Sequence, residues 1–327
     1  MKSPLREQPY RRPCTPPAWA RGGHAQTLWG HLLPVGAREL STDSAGVRHE
    51  VPLPDGDRLV VRAFAGTSGL RVHLFHGLSG SADADYMRRT AHALRARGHA
   101  VWAVNHRGCG EGRGLARGPY HAGSAEDLAA VLQASREDGE DARHVAIGFS
   151  LSGNALVLGL ARGLVPEDTG WIAVCPPVDI ARTTDDLRRG LRRLYELRFL
   201  WRLRRAVRER RLDGLAERDV DIPLFASLRA FDGLYTAPEG GFRDADDYYA
   251  RCSCGPHLAD VRTPGVVLAA ADDPFVDPRA YDAVRVPEEV LLHLERTGGH
   301  VGFLERRGRG IGRWLDEALV HYVEALA

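Results

Sequence analysis

Residues 144–154, HVAIGFSLSGN, set a serine where a short apolar run meets a helix start made of small residues. Gly148-Phe149-Ser150-Leu151-Ser152 is one residue away from the G-x-S-x-G turn, which lifts a serine hydroxyl off a strand end and exposes it to a carbonyl substrate. Strand and helix pack almost back to back around such a turn, so its flanks must be small. Gly148 supplies one flank, and Ser152 followed by Gly153 the other. Serine adds only a hydroxymethyl group, so the turn is expected to survive. Ser152 is expected one turn into the helix, pointing away from the strand end. A serine hydroxyl becomes a strong nucleophile only when a base takes its proton and a third group orients that base.

Two later stretches supply those groups. GVVLAAADDPFVDP ends an apolar run in Asp272 and Asp273, just before Pro274. Side chains of neighbouring residues at a strand end diverge, so only one of the two faces a given histidine. EVLLHLERTGGHVGF ends another strand, and Gly298-Gly299 deliver His300 on a tight turn. Serine, acid and histidine therefore follow in the chain order that this kind of nucleophile turn takes its partners. FHGLSG, residues 75–80, closes an early strand in a His-Gly turn, from which a main-chain N–H can face a developing oxyanion. The N–H of Leu78 is read as the first donor and that of Leu151 as the second. His76 is read as shaping the turn, because His300 already completes the order.

The elements that must position these residues alternate. HEVPLPDGDRLVVRAFAG reads as two strands around Asp55-Gly56, and LRVHLFHG, HAVWAVN, RHVAIGF, GWIAVC, TPGVVLAAADD and EVLLHLE as buried strands. Helical patterns separate them at residues 84–97, 122–137 and 151–163, and a last helix spans 311–326, where Trp314, Leu315, Ala318, Leu319, Tyr322, Val323 and Leu326 share a face. Such alternation specifies a mostly parallel sheet between helical layers. Residues 1–45, rich in Pro and Gly, are expected as an extended arm. Residues 179–255 break the rhythm and are expected as a helical cap inserted within a single domain spanning 1–327.

The totals narrow the function classes. With 327 residues, 44% of them hydrophobic, the chain can bury a large core, and a net charge of +1 gives no polyanion-binding signal. Five scattered cysteines form no disulfide framework, the N-terminal stretch lacks the apolar core of a secretory signal, and no apolar run approaches the ~20 residues of a membrane span. A cytoplasmic location follows as the expectation. DLRRGLRRLYELRFLWRLRRAVRERR sets Leu187, Leu191, Leu194, Leu197 and Trp201 at helical spacing among arginines. It is read as an amphipathic helix with a solvated arginine face, partly neutralised by neighbouring acids, rather than an anionic-lipid or nucleic-acid surface, and any peripheral lipid contact would fall to this cap. Cys252 and Cys254 with His257 lack the second ligand pair a zinc site needs. Ser124 and Asp127 resemble a capping box, and His121 beside them is read as structural.

Nearly the whole chain resembles the YheT-like α/β hydrolases, relatives of plant embryogenesis-associated hydrolases and of mammalian membrane-anchored hydrolases. The likeness runs from PPAWARGGHAQTLWG through HGLSGS, VNHRGCGEG, YHAGSAEDL, GFSLSGN, FDGLYTAPEGGF, DADDYYARCS and AADDPFV to GGHVGF. DDYYARCS and NHRGCGE are specific to that family rather than to the fold. Ala25 stands where the family has leucine, and Ser152 where it has glycine. The resemblance implies the α/β-hydrolase fold with a helical cap, Ser150 as nucleophile, Asp273 as acid and His300 as base. It implies carboxylesterase or lipase chemistry through an acyl-enzyme on short- to medium-chain acyl esters or acylglycerol-type lipids, with no metal or organic cofactor. Two alternatives stand beside it: acyl transfer to an acceptor other than water on the same triad, and a binding module of this fold without chemistry.

Overall fold

Runs of Val, Leu, Ile and Ala that are apolar on both faces favour strands sandwiched between helical layers. The computed structural model describes residues 4–33, 36–138, 142–216, 218 and 220–327. In it, those runs form β1 (Val47–Pro52), β2 (Arg58–Phe64), β3 (Leu70–Phe75), β4 (Ala100–Asn105), β5 (Arg143–Phe149), β6 (Gly170–Val174), β7 (Gly265–Ala270) and β8 (Val290–Glu295). They make an eight-stranded sheet in the order β1-β2-β4-β3-β5-β6-β7-β8. β1, β2 and β4 pair antiparallel, β1 and β2 as a hairpin around Asp55-Gly56. From β4 through β3 to β8 every pairing is parallel. All the carboxyl ends of that parallel body therefore point one way, which is where this architecture gathers its chemistry.

The helices in chain order are α1 (Pro4–Glu7), α2 (Gly23–Leu32), α3 (Asp85–Arg95), α4 (Ala125–Glu137), α5 (Leu151–Ala161), α6 (Ile180–Leu187) and α7 (Arg193–Leu212). After them come α8 (Leu228–Phe231), α9 (Ala237–Glu239), α10 (Ala245–Cys252), α11 (Arg279–Asp282) and α12 (Trp314–Ala325). Alternate strand residues feed two cores. Val72, Leu74, Ile147 and Leu268 pack with α3 and α12, whereas Phe75, Ala146 and Val267 pack with α4 and α5. α6 to α10 all lie between β6 and β7 in the chain. Among the described residues, no helix is long and apolar enough to cross a membrane.

Four local expectations change. The arm is not extended throughout, because residues 23–32 form α2, whose glycines let it press against later loops. The last helix starts at Trp314 instead of 311, because β9 (Leu304–Arg307) and β10 (Gly310–Arg313) form a hairpin turning at Gly308, φ +56°. Ser124 caps nothing with its side chain. Its Oγ accepts from the His121 N–H at 3.2 Å, and Asp127 is taken by Arg107 through two hydrogen bonds of 2.7 Å.

The fourth change concerns α7. Of the expected apolar stripe only Leu187 is buried, while Leu191, Leu194, Leu197 and Trp201 are exposed. The buried face is instead Glu196, Leu200, Val207 and Arg210, with Phe199 and Leu203 packed beside them. Two charged residues can sit there because their hydrogen-bonding capacity is met. Glu196 accepts the Leu228 N–H at 2.8 Å and pairs with Arg193, and Arg210 donates to the carbonyls of Ala116, Arg117 and Gly118.

Candidate active site

Ser150 sits between β5 and α5 with φ 53° and ψ −118°, a strained conformation for a residue with a side chain. The turn is pinned on both sides. The Ser150 N–H donates to the Val174 carbonyl at 2.7 Å, and the Asn154 N–H donates to the Ser150 carbonyl at 3.2 Å. The tight approach falls between Gly148 and Gly153. A Cβ on Gly148 would lie 2.5 Å from the Ser152 carbonyl oxygen, and one on Gly153 would lie 2.9 Å from the Gly148 oxygen. Those two glycines, rather than position 152, carry the steric demand of the turn.

Three side chains from three strand ends converge. Ser150 Oγ is 2.8 Å from His300 Nε2, and His300 Nδ1 is 2.8 Å from Asp273 Oδ2. The other oxygen of Asp273 accepts the N–H groups of Phe275 and Val276 at 2.7 and 3.1 Å, which fixes the carboxylate's plane. Asp272 faces elsewhere: its Oδ1 accepts the Gly298 and Gly299 N–H groups, both at 2.8 Å, and so shapes the histidine turn. The ring of Phe275 lies 4.3 Å from that of His300, centroid to centroid.

Helix α2 holds that turn from the far side. Thr27 Oγ accepts the His300 N–H at 2.8 Å while donating to the Gly23 carbonyl at 2.7 Å, and Gln26 bonds both the N–H and the carbonyl of Leu304. A Cβ on Gly23 would fall 1.5 Å from the Asp272 oxygen, and one on Gly30 would fall 2.6 Å from Gly302 Cα. Thr27 and Gln26 carry no chemistry of their own, and sequence reasoning placed no site residue there. Their one signal was GGHAQTLWG, a glycine-rich opening to an otherwise helical run.

The loop after β3 passes close over Ser150, since a Cβ on Gly77 would lie 3.0 Å from Ser150 Cβ. Leu78 lines the cavity there, and Leu151 opens α5 directly after Ser150. The Gly77 N–H donates to Tyr86 Oη at 2.9 Å. Ser152, expected to point away from the strand end, instead reaches residues that follow β3 and β4. Its hydroxyl donates to the His76 carbonyl at 2.5 Å and accepts from His106 Nε2 and Tyr120 Oη, each at 2.8 Å. The serine in place of glycine thus ties α5 to the loop carrying Leu78. Burial holds His106 well below its usual range and pushes His76 down to about 4, so both rings are neutral. His76 bonds the Gly77 carbonyl through Nδ1 at 2.8 Å and accepts the His106 N–H through Nε2 at 3.3 Å, consistent with a turn-shaping role.

Cys175, which sequence reasoning passed over, lies beneath the acid. Its sulfur, a ring nitrogen of His300 and a carboxylate oxygen of Asp273 fall within 4.8 Å of one another, a spacing that suits a metal. The donor set does not suit one. Both ring nitrogens of His300 are already engaged, and burial together with the Asp273 charge pushes the Cys175 thiol well above its usual range, whereas metals take the thiolate. The other cysteines are free, and Cys252 and Cys254 are buried.

Above Ser150 opens a cavity of about 1110 Å³, lined from α2 by Leu28 and Trp29 and from α7 by Tyr195 and Phe199. The sequence profile of the alpha/beta hydrolase family matches residues 74–311, which takes in the β3 loop, Ser150, Asp273 and His300. The chain belongs to that family. YheT of Escherichia coli (strain K12) is 32% identical over 84% of this chain and 84% of its own length. Phospholipase ABHD3 of Homo sapiens is 26% identical, with 95% of this chain and 78% of that protein aligned. Among solved structures, the Pyrococcus furiosus esterase Pf2001 superposes with a TM-score of 0.58 at 16% identity, covering 87% of this chain and 93% of that one, a likeness of fold. Within the alpha/beta hydrolase family, strand-end serine, acid and histidine in this chain order are the usual arrangement for acyl transfer.

Proposed function

We propose that Ser150, His300 and Asp273 are the catalytic triad of a carboxylic ester hydrolase that works through an acyl-enzyme. Neutral His300, oriented by Asp273 at Nδ1, takes the Ser150 proton through Nε2 as the oxygen attacks the ester carbonyl. The N–H groups of Leu78 and Leu151 receive the negative charge that develops on the carbonyl oxygen. His300 then passes its proton to the departing alcohol. Water, deprotonated by the same ring, attacks the acyl-enzyme and frees the acid. Asp273 stays ionised throughout and stabilises the imidazolium.

The observation that carries this reading is the unbroken chain Ser150 Oγ–His300 Nε2 at 2.8 Å and His300 Nδ1–Asp273 Oδ2 at 2.8 Å. The substrates proposed are short- to medium-chain acyl esters or acylglycerol-type lipids. The size of the cavity, its Leu28, Trp29 and Phe199 walls and the phospholipase name of the human relative support an acyl chain lying there. Steady-state hydrolysis of p-nitrophenyl esters from acetate to laurate tests the reading. Turnover by the native chain that vanishes in Ser150→Ala supports it, and retained turnover in folded Ser150→Ala overturns it.

A further inference from the structure

The apolar residues that α7 leaves uncovered are not scattered. Leu191, just ahead of the helix, is 67% exposed, Leu194 is 66% and Trp201 is 62% exposed, and all three line the mouth of the cavity. α2 exposes Leu28, Trp29 and Leu32, which line the same cavity. The two helices are joined at the rim, where His24 Nδ1 lies 3.1 Å from Tyr195 Oη and the two rings stack. Trp19, just ahead of α2 and also exposed, meets Trp29 edge-on at 5.8 Å. Exposed apolar side chains gathered around one cavity mark a place where something binds.

What binds is narrowed by charge. α7 carries eight arginines against two glutamates. Glu196 is buried and pairs with Arg193, and Glu209 pairs with Arg205. The exposed stripe of α7 runs from Leu194, Leu197 and Trp201 into Arg205 and Arg208 at the same helical spacing, and Arg198 and Arg202 line the cavity beside it. Leu and Trp interleaved with arginine is the pattern of a helix that lies in a lipid headgroup layer, apolar side chains below and guanidiniums among the phosphates. A second copy of the chain would instead set one arginine-rich helix against another, at a cost in like-charge repulsion.

We infer that the α2–α7 rim docks on an anionic phospholipid surface, with the mouth of the cavity turned toward the lipid. This goes beyond the hydrolase reading, and binding does not require turnover. Flotation of Ser150→Ala protein with phosphatidylcholine vesicles, with and without phosphatidylserine, therefore tests it separately. The protein is expected to float with the phosphatidylserine-containing vesicles, less with pure phosphatidylcholine, and less as salt is raised. Adding Leu191→Ser, Leu194→Ser and Trp201→Ser should lower partitioning about tenfold or more, and Arg198→Gln with Arg205→Gln and Arg208→Gln should remove the preference for phosphatidylserine. Circular dichroism checks that the variants fold. Protein that stays in the dense fraction with both vesicle types overturns the inference. So does a dimer on size exclusion that the three serine substitutions dissociate, because the patch would then be covered by a second copy.

Discussion

On the floor of the cavity, His300 is held by its main-chain N–H and by both ring nitrogens. On the rim, Leu191, Leu194 and Trp201 remain largely open to water. The floor draws its contacts from residues far apart in the chain: Thr27, Ser150, Asp272, Asp273 and His300 meet across β5, β7, β8 and α2. The rim is built from two helices whose buried faces look inward and whose outer faces break the usual rule for apolar side chains. Reacting atoms must be fixed to fractions of an ångström, and the floor holds His300 by three hydrogen bonds. A surface that takes a partner must leave its contacts unmade until the partner arrives. On the proposed reading, the two regions differ because one performs a reaction and the other docks on the lipid surface.

The largest effects belong to the floor. Ser150→Ala and His300→Ala should each lower kcat by ~10⁴-fold or more, and Asp273→Asn, which holds the ring in the wrong tautomer, by about 10³- to 10⁴-fold, all read in steady-state ester hydrolysis. Next comes pH. Burial pushes His76 and His144 down to about 4, and His73 and His106 well below their usual range. The unfolded chain binds those protons from about pH 6.5 downward while the folded chain does not. Stability present above pH 6.5 is therefore lost as pH falls toward 4, by on the order of 1 kcal/mol per pH unit for each fully buried histidine. Urea midpoints measured across that window check it, and a flat profile would mean these rings are not held neutral.

Ser152→Ala sharpens the boundary of the floor. It removes the partner of the His106 ring Nε2 and leaves the His76 carbonyl and the Tyr120 hydroxyl only their 3.4 Å contact with each other, so kcat should fall about tenfold with little change in KM, and stability by about 1–3 kcal/mol. Unchanged kcat would mean that the Leu78 loop needs no such tie. The smallest effects fall on the rim, and α7 offers the comparison within one helix. Leu200→Ala should cost about 2–5 kcal/mol, whereas Leu194→Ala should stay within about 0.5 kcal/mol, both by urea unfolding.

Much of this was legible before the fold. The strands were marked by apolar runs ending in Gly77, Ser150, Asp272-Asp273 and Gly298-Gly299, because a strand that stops at a functional residue must stop at a tight turn. Residue spacing alone left open which aspartate meets His300, since that depends on how the loop turns through Pro274 and Phe275; the family resemblance pointed to Asp273. Ser152 was misjudged for a related reason: its direction is set by His76, His106 and Tyr120, which reach it only once the sheet is assembled. The α7 stripe was assigned inward because helical spacing shows that apolar residues share a face, not what the face meets. Glu196 and Arg210 on the buried side are satisfied by Leu228 and by the carbonyls of Ala116 to Gly118, partners distant in the chain. Thr27 and Gln26 serve the site by side-chain bonds to the main chain of His300 and Leu304, and residue type leaves no mark of that.

The most direct test of the central claim is to treat the folded protein with a fluorophosphonate and locate the adduct by peptide mass spectrometry. The account predicts one equivalent on Ser150, none in Ser150→Ala, and slow labelling when His300 is replaced by alanine. An adduct on Ser152 or any other residue, or no adduct in folded native protein, would contradict it.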